Sequence, residues 1–512
     1  MIRFLLTVIL CSSVFAQHKI IKISDHANPN EPSICVNPLD TSIIMAGSNL
    51  DFIYLSQDGG DTWETLEPES EWGVAGDPCI IADTNGQFYF FHLSNNKSSG
   101  YGGWLDRIVC QKFNFEEKTF NNGSFMGQRG SKDQDKEWAV VDPRNNNIYA
   151  TWTEFDKYRG GDSCYSRILF SRSTDEGKSW STARKINILE GDCEDSDQTT
   201  EGAVPAIGPN GEVYVTWSFD EKLFFSRSTD EGETWSDEKV ITSQPGGWVY
   251  SIPGLYRCNG LPITKCDLSG GPHHGRIYVN WTDQRNGFGD TDVWLIYSDD
   301  SGETWSDDIK VNDDKSGNHQ FLTWMDVDQK TGKLWFVWYD RRNYMDNQTD
   351  VFAGLSVNGG KTITNFKINK QRFLPQKSRF FGDYTNISAY NNKVMATWCA
   401  MEFGNTSIWA ADIRKDEITA NHFEKTFASL KAKPLDDQFF LNFSLKTYKR
   451  INLKILNSIG KTVKTVYNNR PFSFGEHTIS LIDQFEDLNS GIYFVNLNTG
   501  QEIINVKVSY MQ

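Results

Sequence analysis

Carboxyl groups that recur at one point of a repeating chain can be brought to one place, where they exchange protons. Glu31, Asp77, Glu137, Glu201 and Asp383 each stand just ahead of an apolar run that reads as a strand, with Asp135 a near alternative to Glu137. Converging acids raise one another's pKa, which leaves one protonated as a proton donor while another stays ionised. Asp77, Glu201 and Asp383 are therefore candidate catalytic acids, and Glu137 a candidate contact for substrate. The ring has two plainer uses, capping backbone amides or holding a cation such as a structural calcium ion. The stretch Arg379-Phe-Phe-Gly-Asp383-Tyr384 adds a phenol beside one carboxylate, and Tyr384 joins the candidate catalytic set.

A second constellation is a duplicated loop. Trp281-Thr-Asp283-Gln-Arg285-Asn286 with Thr291-Asp292-Val293 recurs as Trp338-Tyr-Asp340-Arg-Arg342-Asn343 with Thr349-Asp350-Val351. Duplication favours a structural task, with Arg285 and Arg342 bridging to carboxylates as bidentate locks. Arg341 replaces Gln284 and is the freer guanidinium. With Arg107 and Arg379 it is a candidate for binding the carboxylate of an acidic sugar. Trp248 and Trp324, with Trp72, fall on loops ahead of strands, where an indole face can stack on a sugar ring; core packing is the alternative for each. His273 and His274 lack a nearby third ligand, so no zinc site is expected.

Residues spaced this way need a repeating scaffold. SQDGGDTW at Ser56 to Trp63 returns as STDEGKSW from Ser173, STDEGETW from Ser228 and SDDSGETW from Ser298. Decayed copies run from Ser356 to Ile363 and from Phe113 to Phe120, so the starts step by 57, 60, 55, 70 and 58 residues. Each box is a turn between strands, in which Ser and Asp oxygens accept backbone amides and Gly takes positive φ. Two further strands precede each box, as in Val204 to Gly208 and Glu212 to Trp217. Four short antiparallel strands per repeat is a propeller blade. Thr385 to Ala389, Val394 to Trp398 and Ser407 to Ile413 supply three strands of a last unit, and Lys19 to Ile23 supplies the fourth. The expectation is an all-β, seven-bladed β-propeller, with six blades as the alternative. Connections leading into the inner strands then surround one mouth of the central channel, and the boxes lie on the other face.

The chain has 512 residues and a net charge of −16. Residues 421–512 carry 11 basic and 8 acidic residues, leaving 40 against 59 for residues 1–420. An acidic body lacks the cationic footprint of a nucleic-acid binder. All 17 Trp lie between Trp63 and Trp409, so composition marks a domain boundary after about residue 415. Arg3, the apolar run Phe4 to Leu10 and the small residues Val14 and Ala16 read as a signal peptide over 1–16. No later stretch is apolar for long enough to span a bilayer as a helix, so an integral membrane protein is not expected. Export permits disulfides: Cys258–Cys266, bracketing a short loop, is the first pairing expected and Cys164–Cys193 the second. Cys35, Cys79, Cys110 and Cys399 read as buried free thiols.

The boxes resemble the Asp-box (BNR) repeats of the sialidase-like β-propeller superfamily, over about residues 18–413. The resemblance implies a secreted glycoside hydrolase acting on extracellular, anionic glycan. It implies a tyrosine nucleophile, for which Tyr384 is the candidate, because a neutral phenol approaches an anionic sugar with less repulsion than a carboxylate does. Two departures stand against it: there is no Arg-Ile-Pro tripeptide, and seven units are counted where sialidases have six blades. A non-catalytic glycan- or protein-binding propeller is the first alternative. A propeller-type polysaccharide lyase, with His319 as base and Tyr384 as acid, is the second. LKILNSIGKTV from Leu453 and LNSGIYFVNL from Leu488 resemble the C-terminal sorting domain of type IX secretion. That implies a 416–430 linker, a small β-sandwich over 431–512, the type IX machinery as partner, and passage through the periplasm to the cell surface or medium. The mature form is expected to begin near Gln17 and to lack the region after about Leu430. Intact-mass measurement on protein from medium or cell surface checks both ends; a retained tail without surface attachment contradicts the sorting role.

Overall fold

The computed structural model describes residues 18–95, 104–161, 163–413, 427–435, 438–445, 449–473, 475–498 and 503–510. The expected signal peptide lies outside the described residues, as does the expected linker up to residue 426. Residues 427–430 of that linker fall inside the strand Phe427–Leu435. Contacts divide the chain into two compact units, Gln17–Glu417 and a second that includes Ile418–Gln512. Among the described residues no helix is long and apolar enough to cross a membrane.

In the first unit, alternating apolar runs such as Val213–Phe219 form strands that bury nearly every residue, because each sheet is covered on both faces. Among the described residues of this unit there are seven sheets with a run of four antiparallel strands, six of them ordered as in the chain. Their first strands are Asn30–Val36, Cys79–Ala82, Asp133–Val141, Glu201–Ile207, Ile263–Cys266, Gln320–Val327 and Asn386–Tyr390. Each first strand packs on the next, and the last packs on the first, closing a circuit. The last sheet takes its fourth strand, Lys19–Ser24, from the start of the unit, with Lys19 opposite Asp412 and Ile21 opposite Ala410. An axial channel of about 590 Å³ is lined from all seven first strands, from Ile34 in the first to Ser388 in the last. Second strands of five of the seven sheets place Trp152, Trp217, Trp281, Trp338 and Trp398 fully buried.

The box turns are small hydrogen-bonded knots. In the first, Ser56 Oγ accepts the Gly60 N–H at 2.8 Å, and Asp58 Oδ1 accepts the N–H groups of Asp61 and Thr62, each at 2.9 Å. The Ser228 to Thr234, Ser298 to Thr304 and Ser356 to Thr362 turns repeat the pattern, with Asn358 standing in for Asp in the last. The box glycine then wedges against the preceding sheet. A Cβ on Gly232 (φ +86°) would lie 2.0 Å from Phe170 Cε1, and one on Gly302 would lie 2.3 Å from Phe225 Cε1.

The disulfide order expected from sequence is reversed. Cys164 and Cys193 are bonded, whereas Cys258 and Cys266 are free and buried. Cys258 pairs in a short ribbon with Tyr250, while Cys266 ends the first strand of its sheet and packs with Ala206, Tyr214 and Phe225. The intervening strand Ile263–Cys266 is extended and holds the two thiols apart.

In the second unit, one sheet has Phe427–Leu435, Gln438–Leu445 and Gly475–Ser480, and the other has Thr462–Phe472, Lys449–Asn457, Gly491–Asn498 and Ile503–Tyr510. Leu441 and Phe443 of the first share a core with Ile451, Leu453 and Val495 of the second.

Gly232→Ala is expected to destabilise the first unit by about 1–3 kcal/mol through overpacking against Phe170, beyond its left-handed backbone strain. Gly270→Ala (φ +74°, nothing within 4 Å) carries the backbone cost alone and is the control. Denaturant melts of both variants measure the difference.

Candidate functional site

The first strands open on a recurrent bulge. Pairing with the second strand slips between Asn30 and Ser33, Asp135 and Trp138, Glu201 and Val204, and Phe321 and Trp324. Inside each slip one residue is left-handed: Glu31 (φ 51°), Lys136 (53°), Gly202 (79°) and Leu322 (50°). Asp77 (50°) has the same geometry just ahead of Cys79–Ala82. A non-glycine residue in this region costs roughly 1–2 kcal/mol, so its recurrence marks a position held by the surrounding fold. The bulge breaks strand alternation and re-aims side chains toward the axis.

What gathers there is a buried charge network. Lys136 Nζ lies 2.9 Å from Asp77 Oδ2 and 3.0 Å from Asp383 Oδ2. Arg257 grips both oxygens of Asp383, with Nε to Oδ1 at 2.8 Å, and reaches Asp195 Oδ2 at 3.2 Å. Asp195 also accepts hydrogen bonds from Tyr158 OH at 3.1 Å and Trp248 Nε1 at 3.0 Å. Glu31 Oε1 accepts the Asp383 N–H at 3.1 Å, and Asn49 joins Glu31 to the Asp77 N–H. Beneath the acids, Trp138, Trp324 and Tyr384 pack as a cluster, with centroids 4.3 Å apart for the indoles and 5.1 Å for Trp138 and Tyr384.

The environments separate the acids. Burial works to raise Asp383, but Arg257 and then Lys136 outweigh it and hold the carboxyl well below its usual range. Burial also works against the Lys136 ammonium, yet Asp77, Asp383, Asp135 and Glu31 keep it charged beyond the ordinary lysine range. Asp135 is pushed up to about 7, by desolvation first and then by Asp77 and Asp195, against the pull of Lys136. Glu137 and Glu201 are raised further by burial, and both Glu137 carboxyl oxygens and Glu201 Oε2 lack hydrogen-bond partners. Asp135 is the partly exposed member of these raised acids and therefore the one solvent reaches. Tyr384 is raised by burial and by Asp77 and Glu31, which keeps its phenol neutral.

The structure therefore brings Asp77, Glu137, Glu201, Asp383 and Tyr384 to one mouth, but at two phases. Glu31, Asp77 and Lys136 share the left-handed position; Asp135 and Glu201 precede it by one residue. Arg107 is not a free guanidinium, because Asp106 binds it bidentately at 2.7 and 2.9 Å and Phe125 lies under it at 4.4 Å. Trp248 and Trp324 are buried, the first tied to Asp195 and the second packed in the cluster with Trp138 and Tyr384, so they pack rather than present a face to a sugar. Arg341 is buried over Phe321, donating to Pro253 O at 2.6 Å and Thr349 Oγ1 at 3.1 Å; burial lowers its pKa to about 10. Arg379 is exposed. Arg285 and Arg342 lock loops as expected, through Asp283 and Asp308 and through Asp340 and Asp313. His319 faces Thr291 and Arg341, with its pKa lowered to about 4, and the charged neighbours of Tyr384 are Asp77, Glu31, Lys136 and Glu137. These contacts of His319 and of Tyr384 have no residue in common.

Sequence reasoning missed Lys136, Arg257 and Asp195. Lys136 was findable: aligning Trp138 with Val204 and Trp324 through the bulge puts Lys136, not Glu137, at the phase of Glu31. Arg257 and Asp195 sit on long connections with no periodic signal. Lys136 and Arg257 occupy the space between carboxylates where the sequence allowed a calcium ion, and no metal-holding group of three or more His, Cys, Asp or Glu occurs among the described residues.

Residues 433–510 match the family described as Secretion system C-terminal sorting domain. The chain carries that sorting domain. It covers most of the two sheets of the second unit and indicates export to the cell surface or extracellular space. The chain is also similar to a sialidase of Paraclostridium sordellii, at 25% identity across 32% of this chain and 44% of that relative. The chain thus spans less than half of that relative's length. Among solved structures it is similar to a Dyadobacter fermentans protein of unknown function (13% identity, 77% of this chain and 99% of that one, TM-score 0.45). It is likewise similar to an ulvan lyase (11%, 78% and 99%, 0.48) and to the Hadza microbial sialidase Hz136 (13%, 74% and 75%, 0.40). Identities this low leave the chemistry to the residues themselves.

Two substitutions should separate the acids by stability. Asp383→Asn strands Lys136 and Arg257 without their shared carboxylate and is expected to cost about 3–5 kcal/mol. Asp135 has a folded pKa above its unfolded one, so the folded state binds the extra proton and stability falls as pH rises from about 4 to 7. Asp135→Asn should remove that decline and be more stable than wild type above pH 7. Denaturant melts across pH 4–9 test both signs.

Proposed function

We propose that this chain is a type IX-exported, seven-bladed β-propeller with a C-terminal sorting β-sandwich, and that its mouth hydrolyses a glycosidic bond in extracellular glycan. The observation that carries the reading is Asp135, partly exposed and pushed up to about 7, within the electrostatic reach of Asp195, whose oxygens are oriented by Tyr158, Trp248 and Arg257. Glycoside hydrolysis needs this division: one carboxylic acid protonates the leaving oxygen while a carboxylate attacks or activates water. Lys136, Asp383 and Glu31 hold the pair in place rather than touch substrate. Tyr384, buried under the acids, forms the wall behind them. The mouth collects seven carboxyl groups against two cations, a balance that favours a neutral or amino sugar at the cleaved position over an anionic one.

The test is a screen of the full chain against neutral glycosides, amino-sugar glycosides, sialosides and uronate polysaccharides. Hydrolysis is expected, declining as pH rises through about 7 as Asp135 loses its proton. Asp135→Asn should lower kcat by about 10²–10⁴-fold, the usual span for a general acid. Ultraviolet-absorbing unsaturated products would instead establish a lyase. Binding without turnover of any substrate would establish a non-catalytic propeller.

A further inference from the structure

Away from the axis, a pocket of about 440 Å³ lies between the sixth and seventh sheets. It opens beside the connection that runs from the sixth sheet into the first strand of the seventh. Trp398 and Trp409 are directly opposed on adjacent strands, so both indoles lie on one face of the seventh sheet and line the pocket. Trp409 Nε1 is satisfied by Ser407 Oγ at 3.0 Å, which fixes the ring, and the indole is only partly buried. Phe403 projects from the rim at 90% exposure, and Leu374 opposite it at 47%. Gln348 contributes a buried Oε1 with no hydrogen-bond partner. A concave site with an aromatic wall and a few unsatisfied polar atoms is suited to a small ligand having one apolar face and several hydroxyls, such as a sugar ring.

The charge around this pocket is opposite to that of the body. Residues 369–382 contain Lys370, Arg372, Lys377 and Arg379 and no acid, in a stretch of chain (1–420) that carries 40 basic against 59 acidic residues. All four are exposed, and two of them, Lys370 and Arg372, line the pocket beside a single carboxylate, Glu402. Among the described residues neither Lys370 nor Arg372 is ion-paired; Arg372 rests 5.6 Å over Tyr344 and shares a side-chain hydrogen bond with it. Cations without a carboxylate partner on an acidic body lower the local potential barrier for an anion and, unlike Arg107, are not neutralised by a bidentate acid.

We propose that this pocket is a second glycan site, selective for an acidic sugar residue that stacks on Trp409 while its anionic group pairs with Arg372 and Lys370. The assignment goes beyond the chemistry of the mouth and does not depend on it. Carboxylated and sulfated sugars share the required chemistry, and both belong in the test. Calorimetric titration of the full chain would use oligogalacturonate and sialyllactose for the carboxylate arm, a sulfated carrageenan oligosaccharide for the sulfate arm, and maltohexaose as the neutral control. At least one acidic arm is expected to bind, with affinity falling as salt rises, and maltohexaose to bind at least about tenfold more weakly, the discrimination expected for one charge-assisted pair. Arg372→Ala should weaken the acidic ligand by a similar factor, and Trp409→Ala should weaken it as well. Trp409→Phe, which keeps a ring, should recover most of the loss and shows that the site still folds. Asp135→Asn should bind as wild type. Absence of binding by every acidic sugar, equal binding of the neutral control, or affinity unchanged by both Arg372→Ala and Trp409→Ala would each overturn the assignment. Loss of binding in Asp135→Asn alone would place the ligand at the mouth and also overturn it. Failure of the hydrolysis screen with binding intact would leave this site standing and the mouth reading refuted.

Discussion

One buried ammonium ties the mouth together across the circuit. Lys136 Nζ touches Asp77, ahead of the neighbouring second sheet, and Asp383, ahead of the seventh, and with Arg257 it supplies the positive charge among seven carboxyl groups. Without these two cations, desolvation and mutual repulsion would protonate the acids alike, and no two would differ in role. With them, Asp383 is held ionised, while Asp135, adjacent in sequence to the lysine and partly exposed, is pushed up to about 7. The network creates the difference in proton affinity that acid–base chemistry requires.

That lysine can reach both partners only because the first strands converge and bulge. The left-handed residue in each bulge carries a local cost, and the sheets behind it supply the restraint. Box glycines wedge against the preceding sheet, the second-strand tryptophans fill the space between sheets, and the strand from the start of the unit closes the circuit. Each contributes at the rim or between sheets, and together they fix the axis to which no single sheet is committed. A ring of this kind tolerates variation in its mouth-side connections, which is where the charges differ from sheet to sheet.

The repeat made the scaffold legible. Ser, Asp and Gly recur because a turn needs those oxygens and that φ, and the spacing of the copies follows from four strands per sheet. The lone strand at Lys19 was legible for the same reason, since a last unit with three strands leaves one edge unpaired. The site was legible only in part. Acids ahead of strands could be seen to converge, but a period-two reading cannot register a bulge, and so Glu137 took the place that belongs to Lys136. Arg107 looked available because its partner is its own neighbour, Asp106, and adjacency in sequence hides a bidentate pair. Cys258 and Cys266 looked paired because the seven residues between them read as a loop; the extended strand Ile263–Cys266 spends part of that length keeping the thiols apart. Arg257 and Asp195 come from long connections whose path is set by tertiary packing, and nothing in local spacing marks them.

The distribution of charge then carries the argument one step past the mouth. Acidic groups dominate the axis, whereas the basic run from Lys370 to Arg379 lies on a connection that ends, at Asp383, inside that same acidic network. Opposite potentials a single connection apart act on a bound chain as an orienting field: an anionic residue is drawn to one end and repelled from the other. A polymer with acidic and neutral residues in alternation satisfies both ends at once, and a uniformly anionic one satisfies only the pocket. Arginines expected at the axis for an acidic sugar are not available there, because the axial cations are consumed in holding carboxylates, whereas Lys370 and Arg372, without carboxylate partners, stand at the side.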